Sequence, residues 1–342
     1  MTLGNKIENM KIVVRAPNWI GDAILSLPAL ESLRKNFPQA QIWIAAREWV
    51  KDLFTSYHFI KGVIPLSNLD SLKGVRSAAK NLKESNFDTG ILLTNSFSSA
   101  FLFYLAKIPE RWGYTRDGRG ILLTRSVTPK GREELSHQLN YYLELISGLG
   151  LKTYPSEINL PLTQEEKTSA KEMLLSLNID LKRPLVVLNP GASYGPAKRW
   201  PASRFAEVAR LFQQRKNAEI LIIGSSDESE LAESIVSSMT KKPLSLAGKT
   251  NLRLLAGLIS HAAVFVTNDS GPMHLANALK TPVTAIFGPT DPRLTGPFQE
   301  PAMVIKKEVL CWPCSYRECP FDHGCMMKIE PEEVFKASQK FL

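Results

Sequence analysis

Lys11-Ile-Val-Val-Arg15 runs straight into Ala16-Pro-Asn-Trp-Ile-Gly-Asp22. The first five residues are a short apolar run with charged ends, which reads as a strand buried on both faces. The next seven read as a turn. Ile24, Leu25, Leu27, Leu30 and Leu33 then recur at helical spacing, so a helix is expected over residues 21–37, stopped by Pro38. The pattern repeats. Residues 41–46 and 88–94 read as strands. The apolar stretch from Phe97 and residues 137–149 read as helices, the latter stopping at Gly148 and Gly150. Such alternation gives α/β architecture with a parallel, doubly wound sheet.

Residues 151–163, with two prolines and few apolar neighbours, read as a linker. The pattern then begins again. A helix is expected over 163–177, with Thr163 as its cap and Glu166 three residues on. Strands are expected at 184–189, 218–224, 263–267 and 282–287, and helices at 203–213, 251–260 and 271–279. Two Rossmann-like domains, 1–160 and 161–330, are therefore expected to face each other across a central cleft. A short helix at 331–342 is expected to pack back on the first. Ligands of such sheets bind outside the C-terminal strand ends. Asp22 falls at one such end and Thr267-Asn-Asp-Ser-Gly-Pro-Met-His274 at another.

A chain of 342 residues is comfortable for two such domains, and 44% hydrophobic with 22% charged residues is ordinary for a soluble protein. The longest helical apolar stretch, 97–108, is about half the ~20 residues a bilayer requires. Residues 1–10 lack the apolar core of a secretion signal. A cytoplasmic protein is expected. The net charge is +9, and the first 160 residues carry 20 Lys+Arg against 14 Asp+Glu. The excess is densest around Arg111, Arg116, Arg119, Arg125, Lys130 and Arg132. A basic surface attracts nucleic acid, anionic lipid or a phosphorylated substrate. No helix-turn-helix, zinc-finger or RNP-like motif supports nucleic acid.

The four cysteines form C-x2-C-x4-C-x5-C from Cys311 through Cys314 and Cys319 to Cys325, with His323 inside. In a cytoplasmic protein this clustering argues against structural disulfides. Thiolates at such spacings can hold zinc or an iron–sulfur cluster, although neither common finger pattern is matched. Reduced thiols or a redox-dependent disulfide remain open.

Asp22 at a helix entrance reads either as an N-cap or as a general base facing a ligand, with Gly21 allowing close backbone approach. Asn189-Pro-Gly-Ala-Ser-Tyr-Gly-Pro-Ala-Lys-Arg-Trp-Pro201 links a strand to a helix and carries Lys198 and Arg199; it reads either as a source of amides and a cation for phosphate or as an exposed loop with incidental charges. After the next strand, Glu228 reads as a ribose-binding acid or a helix cap. In Asp269-Ser-Gly-Pro-Met-His274, Pro272 suits the first helical turn. Ser270 and Gly271 then leave amides at a positive helix end, a seat for diphosphate. Gly248-Lys-Thr250 lacks the upstream glycine of a P-loop, since Pro243 stands there, and no G-x-G-x-x-G follows the first strand.

These motifs resemble glycosyltransferase family 9, the heptosyltransferases of lipopolysaccharide assembly. The resemblance runs nearly end to end. It rests on Arg15-x-Pro-Asn-Trp-Ile-Gly-Asp22, the 189–201 loop, Leu246-Ala-Gly-Lys-Thr250, Asn268-Asp-Ser-Gly-Pro-Met-His274 and the cysteine-bearing tail. It implies a GT-B fold and an inverting, metal-independent transfer of heptose from ADP-heptose, with no cofactor required. Asp22 resembles the catalytic base and Lys198 the cation on the donor phosphates. Asp269, Ser270, Gly271 and His274 resemble the donor-binding turn, with Glu228 on the ribose and Leu246 and Met273 lining the nucleotide pocket. Asn18, Trp19 and Gly21 fall on the acceptor side.

The 189–201 loop and the cysteine tail resemble the type II members, which add to the first heptose of the inner core. The implied acceptor is lipid A–Kdo–heptose, and its phosphates and carboxylates suit the basic first half. A monomer in peripheral contact with the cytoplasmic face of the inner membrane is expected. The alternatives are type I transfer to Kdo, transfer of another sugar, a nucleotide-sugar epimerase on the same scaffold, or a non-catalytic nucleotide-binding protein.

Overall fold

A computed structural model describes residues 10–129, 136–154 and 157–342. The chain divides into two compact units, Met1–Ile158 and Asn159–Leu342. Lys130 and Arg132 of the basic cluster lie outside the described residues.

The first unit is built on β1 (Lys11–Arg15), β2 (Gln41–Arg47), β3 (Ile60–Leu66), β4 (Thr89–Leu92), β5 (Glu110–Tyr114) and β6 (Arg125–Val127). They form one sheet in the order β3-β2-β1-β4-β5-β6. Every pairing is parallel. The central strand β1 buries Ile12, Val13 and Val14 completely. A strand covered on both faces by helices requires such an uninterrupted apolar run. The helix expected over 21–37 is two, Ile20–Leu25 and Leu27–Asn36. Pro28 causes the break, because it lacks the N–H that would continue the ladder. The hydroxyl of Ser26 donates to the carbonyl of Ala23 at 2.7 Å at this joint. The helix Phe97–Leu105 buries Ala100, Leu102 and Phe103 but exposes Phe97 and Tyr104.

The second unit contains β7 (Leu185–Asn189), β8 (Glu219–Ile222), β9 (Leu244–Ser245), β10 (Val264–Asn268), β11 (Val283–Phe287) and β12 (Ala302–Lys306). Their order is β12-β11-β10-β7-β8-β9, again parallel throughout. Counted within the unit, this is the same order as in the first sheet. The order reverses between β1 and β4 in one and between β7 and β10 in the other. Loops part at such a switch point and leave room for a ligand.

The helix Gln164–Ser176 opens with a reciprocal capping box. Thr163 Oγ1 accepts from the Glu166 amide at 3.2 Å, and Glu166 Oε2 accepts from the Thr163 amide at 2.9 Å. The terminal helix Pro331–Ser338, expected to pack back on the first domain, belongs to the second unit. Its apolar face explains the difference. Val334 and Phe335 are buried in the second core, and Phe335 meets Phe212 edge-on at 5.0 Å. An aromatic pair of this kind adds about 0.5–1.5 kcal/mol beyond area burial.

Candidate functional site

At the β1 end, Asp22 is the third residue of its helix. Trp19 holds the N-cap position, with no side-chain cap bond. The cap reading of Asp22 is thereby replaced. The hydroxyl of Tyr142, on the helix Gln138–Gly148, lies within electrostatic reach of the Asp22 carboxylate. Gln138 Nε2 donates to the same hydroxyl at 3.4 Å. Burial, followed by the Asp22 charge, holds the phenol well above its ordinary range, so it stays a donor.

The turn before Asp22 is fixed from below. Arg15 Nη2 donates to Asn18 Oδ1 at 2.5 Å, and Trp49 Nε1 donates to the Asn18 carbonyl at 2.7 Å. Gly21 is buried, and Trp19 projects with 58% of its surface exposed. Burial and the like charge of Arg47 push the Arg15 guanidinium down to about 9.

Arg119, counted in the basic surface cluster, is fully buried. Its guanidinium donates to the carbonyls of Tyr114, at 2.8 Å, and Thr94, at the ends of β5 and β4. These carbonyls draw it inside, and burial pushes it down to about 10. Tyr141 lies nearby and donates to Asn95 Oδ1 at 3.0 Å.

The β7–β10 switch point brings the predicted donor residues together. Lys198 Nζ and Asp269 Oδ2 are 2.5 Å apart, and both side chains are buried. Thr290 Oγ1 donates to the same carboxylate oxygen at 2.6 Å, and the Lys198 ammonium lies 4.6 Å from the centre of the Tyr194 ring. The loop carrying Lys198 is anchored by Trp200. Its amide donates to Asn268 Oδ1 at 3.1 Å, and its indole N–H donates to the carbonyl of Ile329 at 3.2 Å. Asn189 Nδ2 reaches Thr267 Oγ1 at 2.9 Å and Ser270 Oγ at 2.8 Å. Ser270 therefore turns toward the strand ends and gives the helix Gly271–Ala278 no side-chain cap. An uncapped helix start presents amides and a positive dipole end to an anion.

Glu228 acts as a cap: its Oε2 accepts from the Ser225 amide at 2.9 Å. Its other oxygen packs against Gly191, where a Cβ would come within 2.0 Å of Oε1. Only glycine admits that approach. Leu246, Met273 and His274 are all buried, Met273 completely. Sequence reasoning missed Tyr142 and Thr290. Neither lies within a motif: Tyr142 sits inside the helix Gln138–Gly148, and Thr290 lies in the connection that follows β11.

The four cysteines are free, and all line one small cavity. Burial, reinforced by the neighbouring Cys314 and Cys319, pushes the Cys325 thiol up to about 11. Among the described residues, no three His, Cys, Asp or Glu side chains stand as a ready metal set. No described helix is long and apolar enough to cross a membrane.

Two Rossmann-like units, each with its own topological switch point, are the architecture of GT-B glycosyltransferases, and the likeness to solved structures bears that class out. Residues 75–324 match the model of glycosyltransferase family 9 (heptosyltransferase), and the chain belongs to that family. It is 32% identical to lipooligosaccharide heptosyltransferase 2 of Campylobacter jejuni over 97% of this chain and 98% of that one. It is 30% identical to lipopolysaccharide heptosyltransferase 2 of Escherichia coli, covering 87% of this chain and 88% of the relative. The solved structure of E. coli ADP-heptose LPS heptosyltransferase II superposes with a TM-score of 0.83 at 28% identity. That match covers 97% of this chain and 98% of the other.

Proposed function

We propose that this family 9 heptosyltransferase moves heptose from ADP-heptose to the first heptose of the lipopolysaccharide inner core, as a type II enzyme. The buried Lys198–Asp269 pair beside the uncapped helix at Gly271 carries the donor half of this reading. When the nucleotide sugar binds, its diphosphate takes the helix amides and the Lys198 ammonium, with Asp269 setting where that ammonium stands. Glycosyl transfer passes through an oxocarbenium-like state in which negative charge grows on the leaving phosphate. Preformed donors at that oxygen lower the barrier. One carboxylate oxygen of Glu228 is committed to its cap, and the other is assigned to the ribose.

Asp22 is the base. It accepts the proton of the acceptor hydroxyl as that oxygen attacks the anomeric carbon. Tyr142 holds the carboxylate, while Asn18, Trp19 and Gly21 shape the acceptor side. The acceptor is the heptosylated Kdo–lipid A, presented at the cytoplasmic face of the inner membrane. No metal or cofactor takes part in this transfer.

The test offers ADP-heptose with purified Kdo2-lipid A or with heptosyl-Kdo2-lipid A, read by mass spectrometry. A heptose-mass gain only on the heptosylated acceptor is expected. A gain only on the other acceptor makes the enzyme type I. Conversion of the donor with neither acceptor present makes it an epimerase.

A further inference from the structure

The four cysteines lie between β12 and the terminal helix, and nothing in the transfer chemistry accounts for them. Cys311, Cys314, Cys319 and Cys325 all line one cavity of about 20 Å³, with His323 also at its wall. That is room for one water-sized species, not a multi-iron cluster. Only Cys325 lies on a helix, Gly324–Met327; the other three sit on irregular backbone. The segment buries little apolar surface of its own. Leu310, Tyr316 and Phe321 are all exposed. A metal ion shared by its four thiols would cross-link this irregular chain and cut its conformational freedom.

This segment nevertheless holds the donor loop. Tyr194 Oη donates to the carbonyl of Ser315 at 2.7 Å, and the Ala197 amide donates to the carbonyl of Arg317 at 3.0 Å. His323 Nε2 lies 2.7 Å from the carbonyl of Ala197, which engages that ring. On the other side, the Ser315 amide donates to the carbonyl of Pro289 at 2.9 Å, one residue before the Thr290 that holds Asp269. Lys198 follows Ala197 directly. The cysteine segment thus holds the residue before Lys198 and the residue before Thr290, the hydroxyl donor to Asp269.

We propose that Cys311, Cys314, Cys319 and Cys325 bind one divalent metal ion, zinc or iron, as a tetrathiolate, and that this ion braces the loop bearing Lys198. Four thiolates around a one-ion cavity are the donor set that tetrahedral zinc and iron select. The side chains stand as free thiols. Binding draws the sulfurs in around the cavity and releases one proton from each to solvent. The irregular backbone allows that movement, and His323 stays on the Ala197 carbonyl. The bracing role rests on the donor reading above; the ion site does not.

The test expresses the full chain in medium supplemented with zinc and ferrous salts and purifies it without air or chelator. Elemental analysis and native mass spectrometry then give the metal content. One zinc or iron per chain is expected, visible absorption marking iron. A mercurial thiol reagent should release it as the thiols are titrated. The Cys314→Ser/Cys319→Ser variant should lose it. Metal-free wild-type protein from that preparation overturns the proposal, as does full retention in the serine variant. The wild-type titration decides the matter even where the variant fails to fold. Stripping the ion with a chelator should weaken ADP binding by about tenfold in calorimetry. Unchanged ADP affinity overturns the bracing role alone. Failure of the metal-loaded protein to bind ADP overturns the donor reading and leaves the metal result intact.

Discussion

The β1–β4 and β7–β10 switch points occupy the same place in sheets of the same order, yet they bury their positive charge differently. In the first unit Arg15 and Arg119 are buried against main-chain carbonyls, and neither forms an ion pair with a carboxylate among the described residues. In the second, Lys198 is buried against Asp269. A guanidinium fixed by carbonyls is scaffold: five donors in a rigid fork lock a turn in place. A lysine is a single charge on a flexible stem, able to exchange part of its pairing for a phosphate. On the proposed function, the first site therefore fixes its turn with guanidinium–carbonyl bonds, while the second keeps a cation that can turn to an anion.

The largest effect should come from the first site. Asp22→Ala should lower transfer by roughly 10³-fold, the scale of a lost general base. ADP-heptose affinity, measured by calorimetry, should change by less than about twofold, because Asp22 lies in the other unit from the donor residues. Retention of activity would remove Asp22 as the base.

The buried cations should separate next. Lys198→Met leaves Asp269 buried without its cation, and breaking such a pair costs about 3–5 kcal/mol. Its melting temperature should fall and its ADP affinity should drop by at least about tenfold. Arg119→Met leaves no carboxylate stranded and removes the cost of burying a cation. Its stability should change by about 1 kcal/mol or less, since an apolar replacement relieves desolvation while losing hydrogen bonds. Equal losses in the two variants would erase the distinction between scaffold and ligand-receiving cation.

The same contrast governs what the sequence revealed. β1, β7, β10 and β11 are buried and mostly apolar because both their faces are covered, and each was legible within a residue or two. All four sheet edges were missed: β3, β6, β9 and β12. β6 and β9 are only three and two residues long, and β3 carries Pro65 within a half-exposed run. β5 was missed too, since its Glu110-Arg-Trp-Gly-Tyr114 reads as a polar loop. The site divides similarly. Asp22, Lys198, Asp269 and Ser270 stood out because each belongs to a strand-to-helix turn with its own signature. Tyr142 sits 120 residues from Asp22 on an ordinary amphipathic helix, and only the folded sheet brings them together.

Tyr142→Phe gives the smallest effect and examines the first site most finely. The phenol is held well above its usual range by burial and by Asp22, so it remains protonated and donates at every pH an assay would use. A donor on a carboxylate favours the charged form. Removing the hydroxyl while keeping the ring takes away its interactions with Asp22 and Gln138. The acidic limb of the rate profile should then move to higher pH, because the base takes up its proton more readily. At the optimum, kcat should fall by roughly tenfold, about the worth of one hydrogen bond to a charged group. The KM for ADP-heptose should not move, since the donor residues are in the second unit. A fall in kcat with an unshifted acidic limb would assign Tyr142 to packing alone. A shifted limb would show that the first switch point works by holding its carboxylate.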